Sequence, residues 1–369
     1  MPKRTLVEMQ QLCTRYLPHH ISNYRGLREH LLELGETVPP DLRPDMYGEG
    51  ELVQSFEADI AALLGKESAV FMPTGTMAQQ ILLRIIADRT NNRSVVFHPT
   101  CHLELHEQKA YQRLHNLQAI LVGDAENLLK PEDVFTVKEA FSTLLLELPQ
   151  REIGGQLPSW EDLQRLTLWA RDKGIHTHMD GARLWQCTPF YQRELAEIVV
   201  PFDTVYVSFY KILGAIAGAA LCGPEDLMQE ARLWRHRHGG KLFALYPMIL
   251  SAQLGLKKHL PQISTYVAKA QSIAASLCEL PGITVNPNPL QINMMHLYLE
   301  GTQVDLENAA QIIAEEDQVF MFHTLRPTRL AGVQKLEVTV GDAALELSDD
   351  EIQALFEKLI HLSHVHRTG

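Results

Sequence analysis

The chain has 369 residues, of which 46% are hydrophobic and 21% charged, and its formal net charge is −12 at pH 7. This length is sufficient for a large α/β domain and a smaller second domain. The acidic balance argues against a nucleic-acid partner, because phosphate contacts require a basic surface. The five cysteines are scattered without a C-x-x-C pair, and no apolar run is long enough to span a membrane. We therefore expect a reduced, cytoplasmic protein that has no disulfide framework and does not enter a membrane.

The first half of the chain alternates predicted helices and strands. Residues 1–49 are typical of a helical arm followed by a loop rich in proline and acidic residues. Apolar positions recur at helical spacing over residues 51–64, and a short strand, SAVFM, precedes a second helix over residues 77–87. Residues 118–123 and 143–148 are near-continuous apolar runs, so we expect buried strands of a parallel sheet covered on both faces.

The turn Pro73-Thr74-Gly75-Thr76 joins the strand SAVFM to the helix that follows it. Gly75 allows close approach of the backbone, and Thr76 adds a hydroxyl group. The start of the helix offers unpaired N–H groups and the positive end of its dipole. Together these features predict a phosphate site. The alternative is a tight turn in which Thr76 only caps the helix.

Three histidines, His98, His102 and His106, follow at intervals of four residues, with Cys101 among them. On one helix they would share a face and could bind zinc. Pro99 interrupts such a helix, and no further Cys–His pair completes a tetrahedral set. The alternative is that His102, at the turn after a strand, lies flat over an aromatic cofactor ring. His98 and His106 would then be packing or surface residues.

Other candidate residues lie where predicted parallel strands end, because loops at the carboxyl ends of such strands usually face the ligand. Glu147 and Gln150 follow one buried strand and are candidate substrate contacts, although Glu147 could be only a charge at the strand end. Ser208 ends the strand TVYVS and could either reach a phosphate or simply terminate the strand.

Asp180 and Lys211 are ionisable residues in apolar surroundings, each at or just beyond the end of a predicted strand. A buried ammonium group is costly, so such a lysine is usually paired, deprotonated or used covalently. The pair predicts a pyridoxal phosphate site in which Asp180 pairs with the pyridinium nitrogen and Lys211 forms the Schiff base. Arg183 would bind a substrate carboxylate there, or pair with Asp180. For Lys211 alone, a loop position facing solvent is the alternative.

The last third of the chain begins with a basic helix over residues 224–240, whose arginines and histidines form a local positive patch. The patch is either a solvated face or a phosphate ligand for a neighbouring subunit. A long helical region over residues 243–280 follows, and short strands alternate with helices beyond Pro281. We predict three parts: an N-terminal arm over residues 1–49, a cofactor-binding domain over residues 50–260, and an α+β domain over residues 261–369.

These landmarks together resemble the threonine aldolase / β-eliminating lyase group of fold-type I pyridoxal phosphate enzymes, from about Asp45 to the C-terminus. The segments that carry the resemblance are DMYGEGELVQSFE, FMPTGTMAQ, HMDGARLW, SFYKILGAIAGAALCG and ARLWRHRHGG. The resemblance implies an α/β fold with a mostly parallel seven-stranded sheet flanked by helices and a smaller α+β domain. It also implies roles for six residues: Gly75 and Thr76 hold the phosphate, His102 stacks on the ring, Asp180 pairs with the ring nitrogen, Arg183 lies near the substrate carboxylate, and Lys211 is the Schiff-base lysine.

The chain departs from the motifs of this group at four places. The N-terminal R-S-D-T motif is not recognisable, and Leu148, Pro149 and Gln150 stand where the group reads N-T-H after Glu147. The motif G-G-G-M-R-Q reads GGKLFA, so Phe243 occupies the position of a phosphate-binding arginine. The C-terminal R-x-V-T-H motif reads LEVTV.

The resemblance implies a lyase that cleaves the Cα–Cβ bond of a β-hydroxy-α-amino acid into glycine and an aldehyde, with His102, Glu147 or a bound water as the base. The departures leave open β-elimination, racemisation, or cofactor binding with little catalysis. The histidines of residues 98–106, with His176 and His178, leave open a metal protein. Members of the group are dimers or tetramers, so we expect a homodimer or homotetramer whose contacts involve the basic helix and the long helical region.

Overall fold

The structure of the protein is a computed structural model, and it describes residues 4–365. The chain forms two compact units. One unit comprises Leu31–Pro261, and the other combines the chain up to His30 with the chain from Gln262 onwards. No helix within the described part of the chain is both long and apolar enough to cross a membrane. The three-part domain division remains a prediction.

The strands and helices of residues 4–365 are numbered in chain order. The strands are β1 Arg15–Tyr16, β2 Ser68–Met72, β3 Ser94–Phe97, β4 Gln118–Leu121, β5 Thr143–Glu147, β6 His176–Gly181, β7 Thr204–Ser208, β8 Ala219–Gly223, β9 Ile283–Asn286, β10 Met294–Glu300, β11 Val319–Phe320, β12 Leu325–Pro327 and β13 Val333–Thr339. The helices are α1 Leu6–Leu12, α2 Leu27–Glu36, α3 Glu51–Leu63, α4 Gly75–Thr90, α5 His102–Leu105, α6 Ala110–His115, α7 Pro131–Phe135, α8 Trp160–Asp172, α9 Thr188–Tyr191, α10 Leu195–Val199, α11 Glu225–Arg237, α12 Tyr246–His259, α13 Ile263–Cys278, α14 Gln303–Glu316 and α15 Asp349–Val365.

The unit Leu31–Pro261 is built on a seven-stranded sheet with the order β2-β8-β7-β6-β5-β3-β4. Strand β8 runs antiparallel to both of its neighbours, and the remaining neighbouring pairs are parallel. The central strands β5, β6 and β7 consist almost entirely of buried residues. Such strands need cover on both faces, which the flanking helices provide. The predicted mostly parallel sheet flanked by helices is confirmed.

Helix α4 packs on this sheet through an apolar face. Ile81, Leu82 and Ile85 are fully buried and join one cluster with Val70 of β2 and Leu221 of β8. Burial of each such side chain is worth about 1.5–3 kcal/mol. This packing fixes the start of α4, and with it the turn before Gly75, at the edge where the parallel strands end.

The register of the central strands places three polar residues side by side at that edge. Glu147 of β5 is paired with Asp180 of β6, and Asp180 is paired with Tyr206 of β7. Residues paired across neighbouring strands project to the same face of a sheet. The fold therefore collects two carboxyl groups and a phenol on one face, close to the carboxyl ends of their strands.

Three predictions about elements are corrected by the structure. The strand within residues 118–123 is not buried, because β4 is the edge strand of the sheet and its residues are half-buried or exposed. Strand β8 was not predicted, since its small residues AALCG carry little strand signal. The helical region over residues 243–280 is two helices, α12 and α13, separated by a short 3₁₀ turn at Leu260–Gln262.

The second unit contains a four-stranded antiparallel sheet with the order β12-β13-β10-β9. Helices α13, α14 and α15 belong to the same unit, and its core includes Ile273, Leu297, Ile313 and Phe356. Strands β1 and β11 form a separate parallel pair. The predicted α+β character of the C-terminal part is confirmed.

Candidate active site

The start of α4 is shaped by the turn between β2 and the helix. The Thr74 hydroxyl accepts a hydrogen bond from the Met77 N–H at 3.2 Å, so Thr74, and not Thr76, caps the helix. A Cβ atom on Gly75 would lie 1.9 Å from the Tyr206 hydroxyl oxygen, so no side chain fits at this position. The Thr76 hydroxyl interacts with the carboxyl group of Glu107. The N–H groups of Gly75 and Thr76, which this cap does not use, can face an anion.

Lys211 lies in the loop that follows β7. This loop is anchored by Phe209, which is buried and stacks with Phe71 and Trp185. Burial, together with the neighbouring Arg183, lowers the pKa of Lys211 to about 8, and Asp180 and Glu147 partly oppose this shift. Such an amine is a far better nucleophile near neutral pH than an ordinary surface lysine.

Asp180 is buried at the end of β6 and held by two hydrogen bonds. Its Oδ2 accepts from Gln79 Nε2 at 2.8 Å, and its Oδ1 accepts from the Ala182 N–H at 3.1 Å. Gln79 lies on α4 and is itself buried. One of these two hydrogen bonds therefore comes from α4, the helix whose start forms the candidate phosphate site.

Glu147 lies beside Asp180, and the pKa of its carboxyl group is raised. Its two oxygens accept hydrogen bonds from the N–H groups of His102 and Arg151, both at 3.2 Å. Burial raises the pKa of Glu147 to about 7, and the negative charge of Asp180 adds to the effect. The carboxyl group can therefore take up or release a proton near neutral pH.

Gln150 faces a different neighbourhood. Its amide donates to the Thr100 hydroxyl at 3.0 Å and lies 3.3 Å from His98 Nδ1. The side chain is thus engaged with the turn after β3, and it lines one cavity together with Glu147.

His102 begins α5 at the mouth of the site, and its side chain is 31% exposed. Burial lowers the pKa of His102 to about 4; Lys211, His106 and Arg151 add to this, while Asp180 opposes it. The imidazole is therefore neutral at pH 7. A neutral, half-exposed ring at this position can lie over a planar cofactor or accept a proton.

The other histidines have separate environments. His98 is buried and bonded to Thr100 and to two backbone carbonyls, and His106 pairs with Glu152 at 2.8 Å. His176 and His178 lie in the first half of β6, and both form a hydrogen bond with the hydroxyl group of Thr204 on β7. Within residues 4–365 these side chains do not form a group of three metal ligands.

Ser208 ends β7 as a fully buried residue. Its backbone carbonyl accepts from Trp185 Nε1 at 2.8 Å, but its hydroxyl has no hydrogen-bond partner among the described residues. A buried hydroxyl without a partner is costly, and a hydrogen bond to a bound ligand would satisfy it. The unpartnered Ser208 hydroxyl, the Gly75 position and the start of α4 therefore fit a phosphate group, and Asp180 with Lys211 fits a pyridine aldehyde.

The basic patch expected on α11 is largely neutralised. Arg232 Nη2 lies 2.9 Å from Glu57 Oε2, and Arg235 is buried and donates to the Phe71 carbonyl at 2.7 Å. These side chains fasten α11 to β2. Phe243, at the position of the missing arginine, is 62% exposed and packs edge-on against Tyr47.

Sequence reasoning missed Gln79, Gln80, Glu107 and Arg151. Gln79 and Gln80 are buried amides on the apolar face of α4, and a polar residue at a buried helical position was the available signal. Glu107 and Arg151 lie at element ends, where charged residues are common, so the sequence carries no signal that separates them from surface residues.

Comparison with known proteins identifies one family and several similar proteins. A family model described as beta-eliminating lyase matches residues 42–300. A protein structure from Listeria monocytogenes EGD-E, provisionally assigned as an L-allo-threonine aldolase, is 41% identical, with 97% of this chain and 98% of that chain covered and a TM-score of 0.90. A second structure, from Exiguobacterium sp. 255-15 and provisionally assigned as an aromatic amino acid β-eliminating lyase/threonine aldolase, is 38% identical, with 97% and 99% covered and a TM-score of 0.91. The low-specificity L-threonine aldolase 1 of Arabidopsis thaliana is 24% identical over 82% of this chain and 87% of its own length.

Proposed function

The chain belongs to the β-eliminating lyase family and uses pyridoxal phosphate, and from this premise we propose that it cleaves the Cα–Cβ bond of a β-hydroxy-α-amino acid to give glycine and an aldehyde. The coarser assignment, a pyridoxal-phosphate-dependent lyase of the threonine aldolase/β-eliminating lyase type, follows from the family. The bond that is cleaved is the proposal.

One observation carries this proposal. The buried Asp180, the low-pKa Lys211 and the half-exposed His102 act on one another electrostatically at a single sheet edge. Pyridoxal phosphate requires a carboxylate beside its ring nitrogen, an amine for its aldehyde and a planar neutral side chain over its ring. When bound, pyridoxal phosphate supplies an electron sink for the electron pair left at Cα.

Different residues would hold the phosphate, the ring and the aldehyde carbon of the cofactor. The Ser208 hydroxyl and the backbone N–H groups at Gly75 and Thr76 would bind the phosphate. Asp180 would keep a proton on the ring nitrogen, and His102 would lie over the ring. Lys211 would provide the covalent attachment, and Arg183 would orient the substrate carboxylate through two parallel N–H donors.

The β-hydroxyl proton must be removed for Cα–Cβ cleavage. His102 is neutral at pH 7 and so has an imidazole lone pair available, and the Glu147 carboxyl titrates near neutral pH. Both lie next to Lys211, and either can accept this proton. Gln150, at the position where the group has a histidine, has its amide engaged elsewhere.

The proposal is tested by absorption spectra, borohydride trapping and product analysis. We expect a yellow protein whose reduced adduct maps to Lys211, and glycine release from L-threonine, L-allo-threonine or phenylserine. Lys211→Ala should lower turnover by about a thousandfold or more, because the covalent attachment is lost. Lys66 is the internal control, since burial also lowers its pKa. An adduct on Lys66 and full turnover by Lys211→Ala would contradict the proposal.

The second candidate reaction is β-elimination or racemisation at the same site. The observation that favours it is the absence of an imidazole after Glu147, where the Gln150 amide donates a hydrogen bond to the Thr100 hydroxyl. The same substrate panel separates the reactions: elimination yields a keto acid and ammonia, racemisation yields the opposite enantiomer, and neither yields glycine. Spectral changes without any product would indicate cofactor binding with little catalysis.

A further inference from the structure

Glu107 is a buried carboxyl group that the proposed reaction does not use. It follows His106 in the loop between α5 and α6, and its side chain is 1% exposed. One oxygen, Oε2, accepts a hydrogen bond from Gln80 Nε2 at 2.8 Å. The other, Oε1, has no hydrogen-bond partner among the described residues and lies 3.8 Å from His102 Nε2.

The position of this carboxyl group is set by α4. Gln80 is 2% exposed, and Thr76, one turn earlier on the same helix, supplies a second interaction. Burial raises the pKa of Glu107 to about 7 and Asp180 adds to this, while Gln80, Thr76 and Lys211 lower it. Burying a carboxyl group away from water without an arginine or lysine partner costs free energy. An amide could form the same hydrogen bond with Gln80 at a lower cost, so a purely structural role does not explain the carboxyl group.

We propose that Glu107 is a positioning residue for His102, holding the imidazole over the cofactor ring through Oε1 and Nε2. The inference rests on the proposed function in one respect, namely that His102 faces the cofactor. The distance of 3.8 Å is longer than a hydrogen bond, and a closure of about 1 Å brings the pair into range. Hydrogen bonds between catalytic groups often shorten when a ligand binds.

A hydrogen bond at Nε2 has two consequences for His102. It fixes the plane of the ring, which is otherwise about one-third exposed and able to rotate. It also fixes the tautomer, because a carboxylate at Nε2 retains the proton there and leaves the lone pair on Nδ1. Ring stacking and proton uptake by His102 both depend on these two properties.

The test is a double-mutant cycle read out by cofactor affinity, which is measured by titrating pyridoxal phosphate into apoprotein and following its absorbance. Glu107→Leu should weaken binding about tenfold, and Glu107→Gln, which keeps a hydrogen-bonding oxygen, should stay within about threefold of the parent. In a His102→Phe background, Glu107→Leu should change affinity by less than about twofold. Glu104→Leu is the matched control, since Glu104 lies on α5 and pairs with Lys109 and Tyr111 instead.

Two results would overturn the inference. Equal losses from Glu107→Leu in both backgrounds would show that Glu107 acts independently of His102, and an unchanged affinity would show that it does not act at all. Should Glu107→Leu fail to fold, Gln80→Met loosens the carboxyl group while retaining it, and its smaller loss should likewise vanish in the His102→Phe background. The cycle needs no turnover, so coupling in binding without glycine release would count against the proposed function alone.

Discussion

Lys211 differs from the other lysines in how readily it should lose its proton. Burial, reinforced by Arg183, lowers its pKa to about 8, compared with about 10.4 for an exposed lysine. The uncharged amine therefore becomes the major form above pH 8. We expect competitive acetylation of the apoprotein, analysed by mass spectrometry, to show half-maximal reactivity of Lys211 near pH 8.

The direction of the Arg183 effect provides a control. A neighbouring cation disfavours the ammonium form, so Arg183→Gln should raise the pKa of Lys211 and move its labelling midpoint to higher pH. A midpoint for Lys211 near the value of about 10.4 expected for an exposed lysine, or a fall in the midpoint on removal of Arg183, would contradict this account of the site.

At the level of residues, the sequence predicted the site where polarity interrupts an apolar strand. Lys211 and Asp180 stand out because burial of a charge is costly wherever it occurs, and no fold is needed to see this. Glu107 could not be found in the same way, because only the packing of its loop against α4 buries it. Gln150 stays a predicted substrate contact, and its amide is hydrogen-bonded to the Thr100 hydroxyl in the turn after β3.

Among the elements, α12 acts as the support for the loop that carries Lys211. The Ser251 hydroxyl accepts a hydrogen bond from the Ile216 N–H at 2.8 Å. One turn later, a Cβ atom on Gly255 would lie 2.2 Å from the Leu213 backbone oxygen. At Gly255 the backbones of the helix and the loop therefore meet directly, and together with the Ser251 hydrogen bond this contact supports the loop that carries Lys211.

Gly255→Ala should disturb this contact. An added methyl group cannot be accommodated against a backbone oxygen without moving the loop, so we expect a loss of about 1–3 kcal/mol in the free energy of unfolding and weaker cofactor binding. Urea unfolding measures the first and absorbance titration the second. Gly35→Ala in α2 is the matched control, because nothing lies within 4 Å of its Cβ position and alanine favours a helix. A Gly255→Ala protein as stable as Gly35→Ala would refute the close contact.

At the level of elements, long periodic segments were predicted well and small or peripheral ones were not. Helix α3 and strands β2, β5 and β7 follow directly from their apolar patterns. Strand β8 is formed by small residues whose extended conformation is imposed by pairing with β2 and β7. The exposure of β4 could not be predicted either, because an apolar run does not reveal which strand lies at the sheet edge.

At the scale of the whole molecule, one group of large apolar side chains remains exposed on the surface of the single chain. Met46, Tyr47 and Phe243 are 60%, 50% and 62% exposed, and the two aromatic rings pack edge to face with centroids 5.3 Å apart. Their loops are tied together, because the Asp45 carboxylate accepts hydrogen bonds from the Leu245 and neighbouring N–H groups and Tyr47 N–H donates to the Phe243 carbonyl. A rigid exposed aromatic pair is typical of a protein interface.

We expect this aromatic pair to lie in a contact between copies of the chain, giving a homodimer or homotetramer by light scattering. Phe243→Asp should then weaken self-association by about 2 kcal/mol or more, because a charge would be buried in the contact where an aromatic ring packed before. Leu114→Asp is the matched control, since Leu114 is 64% exposed on α6 and is not part of the pair. A monomeric parent protein would rule out the contact, and equal dissociation by both variants would show that added charge, rather than the lost aromatic ring, separates the copies.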